Sequence, residues 1–381
     1  MRSVPARPAA RLSAFYAAAF LVTGIQLPFW PVWLAGRGLG PKEIALVLTA
    51  AIWANVLAAP PLGMLADRLG RRRAIMVALA AVALSAYAAL AAVAGFAALL
   101  LVNALAATAQ SALMPLGNTI TLSGPGLDYG RIRLWGSLSF ILASLVGGAV
   151  LGAGSAVRVL PLVIGASALL LLACLAVPPL AERRGAHHRR PGLSAVAGDK
   201  RFWLFAATAS VLQASHQLYY GFGTLYWRSL GYSDAVIGAL WAEGVVAEIL
   251  LFWQGSRLLA RFGPLGLMAL GGGAGILRWG LMGLVSSQSG FAGLQLLHAL
   301  TFGASHLGAM LFLARTIPPS AAASAQTLYA AISSGLGSGL VMLAAGALYG
   351  ALGGTAFPVM ALLSAAGLLG TLRLRHGGAA R

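Results

Sequence analysis

Acidic side chains are scarce, with only 8 Asp and Glu against 26 Lys and Arg in 381 residues, and charged residues of both signs make up just 9% of the chain. A soluble globular domain usually carries about 25% charged residues. This composition is too poor in charge to cover a core with a water-facing surface, so a soluble fold is excluded. Cysteine is almost missing too: Cys174 stands alone inside an apolar segment, which rules out an internal disulfide. There is no phosphate loop either. The GRGLG stretch, Gly36 to Gly40, follows an apolar run rather than a strand, so nothing points to a nucleotide-driven pump.

Long apolar runs are what the chain does have. Hydrophobic residues make up 59%, the mean hydropathy is +0.85, and windows of spanning length recur throughout. An all-α polytopic membrane protein is expected. Breaks at charged, Gly and Pro positions delimit twelve transmembrane helices, near 12–34, 43–64, 74–94, 96–121, 130–152 and 158–179, then 202–227, 235–257, 264–285, 290–314, 321–349 and 355–373. Arg2, Arg7 and Arg11 before the first run resemble a signal peptide, but the run reaches Trp33 with no small-residue cleavage site, so a retained first helix is expected.

The net charge of +18 does not indicate nucleic acid, because the basic residues lie in short loops between apolar segments rather than on one soluble face. They indicate orientation instead. The termini and even-numbered loops hold 21 Lys and Arg and the opposite side holds 4, with Arg278 left inside a span. Both termini are therefore expected in the cytoplasm of a bacterial inner membrane. Residues 1–180 and 202–381 would form two six-helix bundles, joined by a basic cytoplasmic linker over 181–201. His187 and His188 in that linker lack a third ligand and read as solvated residues, so no metal or other cofactor is implied. An internal repeat supports the division. GMLADRLG, Gly63 to Gly70, aligns with SRLLARFG, Ser256 to Gly263, at an offset of 193 residues, and Ala260 replaces Asp67 in the second copy.

GMLADRLGRRR, Gly63 to Arg73, suits a tight basic turn between two spans. It closely resembles the loop motif of the major facilitator superfamily. That resemblance implies the twelve-helix fold and a cytoplasmic gate at Gly63, Asp67, Arg68, Gly70, Arg71 and Arg131, with Asp67 latching the two halves. LPFWPVWL (Leu27 to Leu34), LDYGRIRLWGS (Leu127 to Ser137), YYGFGTLYW (Tyr219 to Trp227) and GVVAE (Gly244 to Glu248) narrow it further. They resemble the 3-phenylpropionate permease group, relatives of the sugar and nucleoside proton symporters. RWGLMG, Arg278 to Gly283, and the helix with His298 and His306 match that group as well. Two departures stand out. Asn118 occupies a position where the group carries an aspartate, which would deprive Arg133 of its acidic partner, and Glu243 replaces an uncharged residue.

Glu243, Glu248, Arg278, His298 and His306 all fall inside apolar spans, where each is costly and so a candidate for function. Counting depth from span middles puts Glu243, Arg278 and His298 in one layer and Glu248 and His306 in another. These five are the expected proton-coupling groups, although a glutamate paired with Arg278 could equally be a structural ion pair. His216, Tyr219, Tyr220, Trp30 and Trp241, with Arg133 and Asn118, are the expected substrate contacts, the arginines being suited to clamp a carboxylate. Trp33, Trp203 and Trp227 read as interfacial anchors. A monomeric secondary transporter of a small organic solute and protons is expected, with an aromatic carboxylate implied by the resemblance. A sugar or nucleoside symporter and an exporter are the alternatives. A metal-dependent enzyme is disfavoured, since His298 and His306 would diverge by about 80° and about 12 Å on a straight helix.

Overall fold

The computed structural model describes residues 6–152, 156–178, 196, 198–318 and 321–379. Most of the expected linker, with His187 and His188, lies outside the described residues. Among the described residues every regular element is helical and there is no strand, as a bilayer requires of a chain that must satisfy its own backbone polar groups.

The first helices are α1 (Ala6–Gly36), α2 (Pro41–Leu69), α3 (Arg72–Ala89), α4 (Phe96–Ser111), α5 (Leu113–Ser123), α6 (Tyr129–Leu151) and α7 (Val159–Ala176). After them come α8 (Lys200–Ala214), α9 (Gln217–Ser229), α10 (Asp234–Trp253), α11 (Gly255–Met282), α12 (Gln288–Leu296), α13 (Ser305–Thr316), α14 (Ala322–Ala330), α15 (Ser338–Leu352) and α16 (Phe357–Ala379). Among the described residues, ten helical runs are long and apolar enough to cross a membrane, the last being the 53 residues Ser324–His376. The 200–229 stretch is not among them, because it breaks at Ser215 and His216 into pieces of 15 and 13 residues. Each piece is shorter than the roughly 20 residues needed to cross.

Contacts divide the chain into two units. The first is Met1–Ala186 with Trp227–Ala242, and the second is His187–Tyr226 with Glu243–Arg381. In the first, α1 packs on α6 and α7, and α4 packs on α2 and α3. The start of α10 belongs to this unit because backbone meets backbone there: a Cβ at Gly148 would strike the Asp234 carbonyl, and one at Gly238 the Ser144 carbonyl. Small residues are what allow membrane helices to approach so closely.

In the second unit α11 packs on α13 and α16, and α8 packs on α16. Phe205, Phe312 and Tyr329 fill the core beside Met268 and Leu374, with the Phe205 and Phe312 rings stacked at 4.6 Å. Two stretches widen into π-helix, Ala299–Ala304 between α12 and α13 and Ala331–Gly337 between α14 and α15. The repeat detected in the sequence has a shared backbone feature. Gly70 caps α2 at φ 59°, and Gly263, its counterpart, kinks α11 at φ 65°. Both are left-handed conformations that favour glycine.

Candidate functional site

Arg278 is the centre of the second unit's polar interior, with no exposed surface. Its Nη1 donates to His298 Nδ1 at 3.0 Å and to Thr301 Oγ1 at 3.0 Å, while Nη2 donates to Gln295 Oε1 at 2.8 Å. The guanidinium lies 4.9 Å from the Tyr219 ring centroid and 4.5 Å from that of Trp279. Two aromatic rings therefore flank the guanidinium, and a desolvated cation gains on the order of 2 kcal/mol from such contacts. Its Nε is buried without a hydrogen-bond partner among the described residues.

The bonding fixes the histidine tautomers, because a guanidinium can only donate. His298 Nδ1 must accept, so its ring is neutral and carries its proton on Nε2. That nitrogen lies 3.7 Å from Glu248 Oε2, beyond hydrogen-bond length. His216 has Nδ1 at 3.2 Å from the Gln213 carbonyl and Nε2 at 3.1 Å from Thr301 Oγ1. A neutral His216 donates from Nδ1 and accepts the threonine proton at Nε2. Tyr219 donates to Gln295 Oε1 at 3.1 Å, and Trp279 to Ser215 Oγ at 3.2 Å. Tyr220 stacks on His216 with centroids 5.7 Å apart.

Helix irregularity brings these groups together. The break after α8 exposes the His216 turn to the interior, and the π turn begins directly after His298 and carries Thr301. Irregular backbone at membrane depth is tolerated where it lines protein-buried polar space. Gln295, His298 and Thr301 recur every three residues and so share one helix face. Gln295, Thr301 and Trp279 are members that sequence reasoning missed. The three-residue polar spacing in an apolar helix was the available signal.

Several expectations need correcting. Arg278 bonds to His298, Thr301 and Gln295, and Glu248 Oε2 approaches the far nitrogen of His298 at 3.7 Å, so the histidine stands between the arginine and that carboxylate. The two-layer depth scheme separated Glu248 from His298, but an error of two or three residues in a span's middle is about 4 Å. Glu243 is half-buried and makes no ion pair among the described residues. His306 is exposed and shares no hydrogen bond with the cluster. It and His298 instead each stack on Phe302, with ring centroids 5.8 and 5.4 Å away and planes nearly parallel to it. Among the described residues, no three His, Cys, Asp or Glu gather as a metal site would require.

In the first unit, Tyr16 and Tyr129 both donate to Asn118 Oδ1, at 2.7 and 3.3 Å. The Arg133 guanidinium lies 4.0 Å from the Phe20 ring centroid and 5.9 Å from that of Tyr16, and forms no ion pair among the described residues. Trp30 is buried, its Nε1 donating to Asn103 Oδ1 at 2.9 Å and its ring stacked 4.6 Å from Trp33. Its indole thus links α1 to α4 and is not open to a solute. Trp33 and Trp227 are buried rather than lipid-facing, whereas Trp203 is exposed as an anchor would be. Trp241 is buried and groups with the first unit, apart from Tyr219, Tyr220 and His216 in the second. Among the gate residues, Asp67 pairs with Arg72 at 2.7 Å and Arg131 with Asp128 at 3.3 Å, while Gly63, Arg68 and Arg71 lie in or beside the same turn.

A multi-pass helical membrane protein with broken helices turned around a buried cation is built as a transporter of small molecules. The chain belongs to the MFS_1 like family within the major facilitator superfamily, whose model matches residues 9–359. It is 35% identical over 363 residues to the probable 3-phenylpropionic acid transporter of Escherichia coli (strain K12), covering 93% of this chain and 94% of the relative. It is 26% identical over 345 residues to YwbF, an uncharacterized transporter of Bacillus subtilis (strain 168), covering 89% and 86%. Among solved structures, the nucleoside transporter NupG is similar with a TM-score of 0.85 at 20% identity, over 96% of this chain and 98% of that one. A bacterial homologue of the human lysosomal transporter Spinster, inward-facing and occupied, scores 0.75 at 14% identity, over 99% and 98%. These two likenesses concern the fold.

Proposed function

We propose that this chain is a proton-coupled symporter that takes up a small aromatic carboxylate, such as 3-phenylpropionate, by alternating access. It would sit in a bacterial inner membrane as a monomer with both termini in the cytoplasm, as the basic-loop asymmetry favours. Counting the broken 200–229 stretch and dividing Ser324–His376 at Gly353 makes twelve spans, six on each side of the 181–201 linker. The relative from E. coli supplies the substrate class, and the buried cluster supplies a physical reason for it.

One observation carries the coupling: His298 stands between Arg278 and Glu248. A proton taken up on His298 turns the Nδ1 acceptor into a donor. The bond from Arg278 Nη1 is then lost, and two cations face each other in a medium where like charges repel strongly. Glu248 offsets the imidazolium charge on the far side. The released Nη1 and the unpartnered Nε leave Arg278 with N–H donors for a carboxylate. The Tyr219 and Trp279 rings beside it suit an aromatic body. Proton and anion thus favour each other's binding. In the first unit, Arg133, held on Phe20 and Tyr16 with no ion pair among the described residues, is a carboxylate contact of its own, and Asp67 serves the cytoplasmic latch.

The test is uptake of labelled 3-phenylpropionate into proteoliposomes with an imposed pH gradient. An acidic exterior is expected to drive accumulation above the equilibrium level. Uptake that stops at equilibration whatever the gradient would rule out symport.

A further inference from the structure

We propose that the second unit carries a binding site for an anionic phospholipid on its outer face, distinct from the transport cluster. It consists of an apolar groove that ends in a set of four arginines.

The groove has a volume of about 590 Å³. Gly266, Leu270, Gly273 and Leu277 of α11 form one wall, and Leu297 and Leu300 form the other. The α11 residues repeat every three or four positions, so they make one continuous stripe. From Gly266 to Leu277 the stripe rises about 16 Å, the reach of much of an acyl chain. Leu277 is 52% exposed, and a Cβ at Gly273 would meet nothing within 4 Å. The stripe therefore faces outward as an open channel. Arg278, next in sequence, turns to the opposite face and is buried, so the groove shares no residue with the cluster.

At one end the groove meets Arg261 and Arg375, its only charged lining residues among those described. A second cavity of about 340 Å³ adjoins it, sharing Phe262, Gly266 and Arg375 and adding Arg201 and Arg315. Among the described residues no acidic side chain lines either cavity, and all four arginines are exposed. None of their side chains forms an ion pair among the described residues. Asp199, the carboxylate nearest in sequence, caps α8 through the Arg201 backbone N–H at 2.8 Å. The four arginines come from the start of α8, the kink of α11, the end of α13 and the end of α16, so the fold assembles the patch from distant parts of the chain.

An apolar channel of acyl length that opens onto unpaired guanidinium groups fits a phosphodiester headgroup carried on fatty chains. A basic pocket between membrane helices on the side where Arg and Lys accumulate is the usual form of such a site. Guanidinium forks suit phosphate oxygens. A transport substrate is a poorer fit, because the groove opens sideways and offers nothing polar beyond the arginines.

The experiment uses the full chain purified in neutral detergent, with native mass spectrometry and thermal unfolding as readouts. Phosphatidylglycerol is the probe, phosphatidylethanolamine the neutral comparison, and soluble glycerol phosphate the headgroup without chains. Phosphatidylglycerol is expected to bind and raise the unfolding temperature. Its affinity should fall at least about tenfold in the double variant R261Q/R375Q, while R261K/R375K, which keeps both charges, should retain most of it. Gly273→Trp, placed in open space, should block the groove and lower affinity with the arginines intact. Equal binding of phosphatidylethanolamine, unchanged affinity in R261Q/R375Q or in Gly273→Trp, or full displacement by glycerol phosphate would each overturn the proposal.

Discussion

Arg278 has five N–H donors, and the cluster supplies acceptors to Nη1 and Nη2 but none to Nε. A permanent cation wholly inside a span costs roughly 3 kcal/mol on insertion scales, so a purely structural role would favour replacing it with an apolar residue. Arg278→Gln should reduce 3-phenylpropionate uptake by about a hundredfold or more, as loss of a buried carboxylate clamp would. Arg278→Lys should rescue little, since a lysine cannot fork onto three acceptors while lying between two rings. Initial rates in proteoliposomes measure both. His298→Gln separates binding from coupling. A glutamine can offer Arg278 an acceptor oxygen but cannot take up a proton. The variant should still exchange labelled for unlabelled substrate across the membrane, yet fail to accumulate it down a pH gradient. If accumulation survives, His298 is not the coupling group. Arg278 and His298 stand out in the sequence because ionisable residues in an apolar span are rare, and both are buried in the structure. Their pairing was not legible there, since it depends on which faces of two helices meet.

At the scale of elements, the departures from regular α-helix mark the site. The break at Ser215 and His216 and the π turn over Ala299–Ala304 sit beside the same four side chains, His216, Arg278, His298 and Thr301. Hydropathy could delimit these spans but could not show their interruptions, because neither stretch contains a proline and the breaks come from the tertiary environment. The turns were more legible. Gly70 and Gly263 stand at matching repeat positions, and both adopt a positive φ that favours glycine. The glycines of α11 divide into two kinds. A Cβ at Gly271 would overlap Ser305 Oγ and lie 2.9 Å from the Leu300 carbonyl, whereas one at Gly273 meets open space. Gly271→Val should therefore destabilise the protein by about 1–3 kcal/mol through overpacking against the π turn. Gly273→Val should be close to neutral, within about 1 kcal/mol, because valine meets open space and is no poorer a helix former than glycine. Thermal unfolding of the two variants in the same detergent compares them directly, and equal shifts would refute the close-packing account of Gly271.

For the whole molecule, fold class and orientation rest on bulk properties that any reader of the chain can count, such as apolar run length and the side on which arginine collects. Substrate and coupling rest on a few buried groups whose charges must balance. Under the proposed coupling, with Arg278 cationic and His298 neutral, one proton and one carboxylate enter the cluster together and the transported pair carries no net charge. Uptake should then follow the pH difference and ignore the membrane potential. In proteoliposomes, a potassium diffusion potential set with valinomycin at equal pH on both sides should leave initial rates unchanged. A gradient of one pH unit at zero potential should drive about tenfold accumulation, the limit for one proton per anion, since a tenfold ratio corresponds to about 1.4 kcal/mol. A second proton, carried for instance by Glu243 or His306, would make the process electrogenic and raise the limit to about a hundredfold. Potential-driven uptake would therefore move part of the coupling away from the Arg278, His298 and Glu248 chain, and Glu243→Gln and His306→Gln would then show which of the two carries the extra charge.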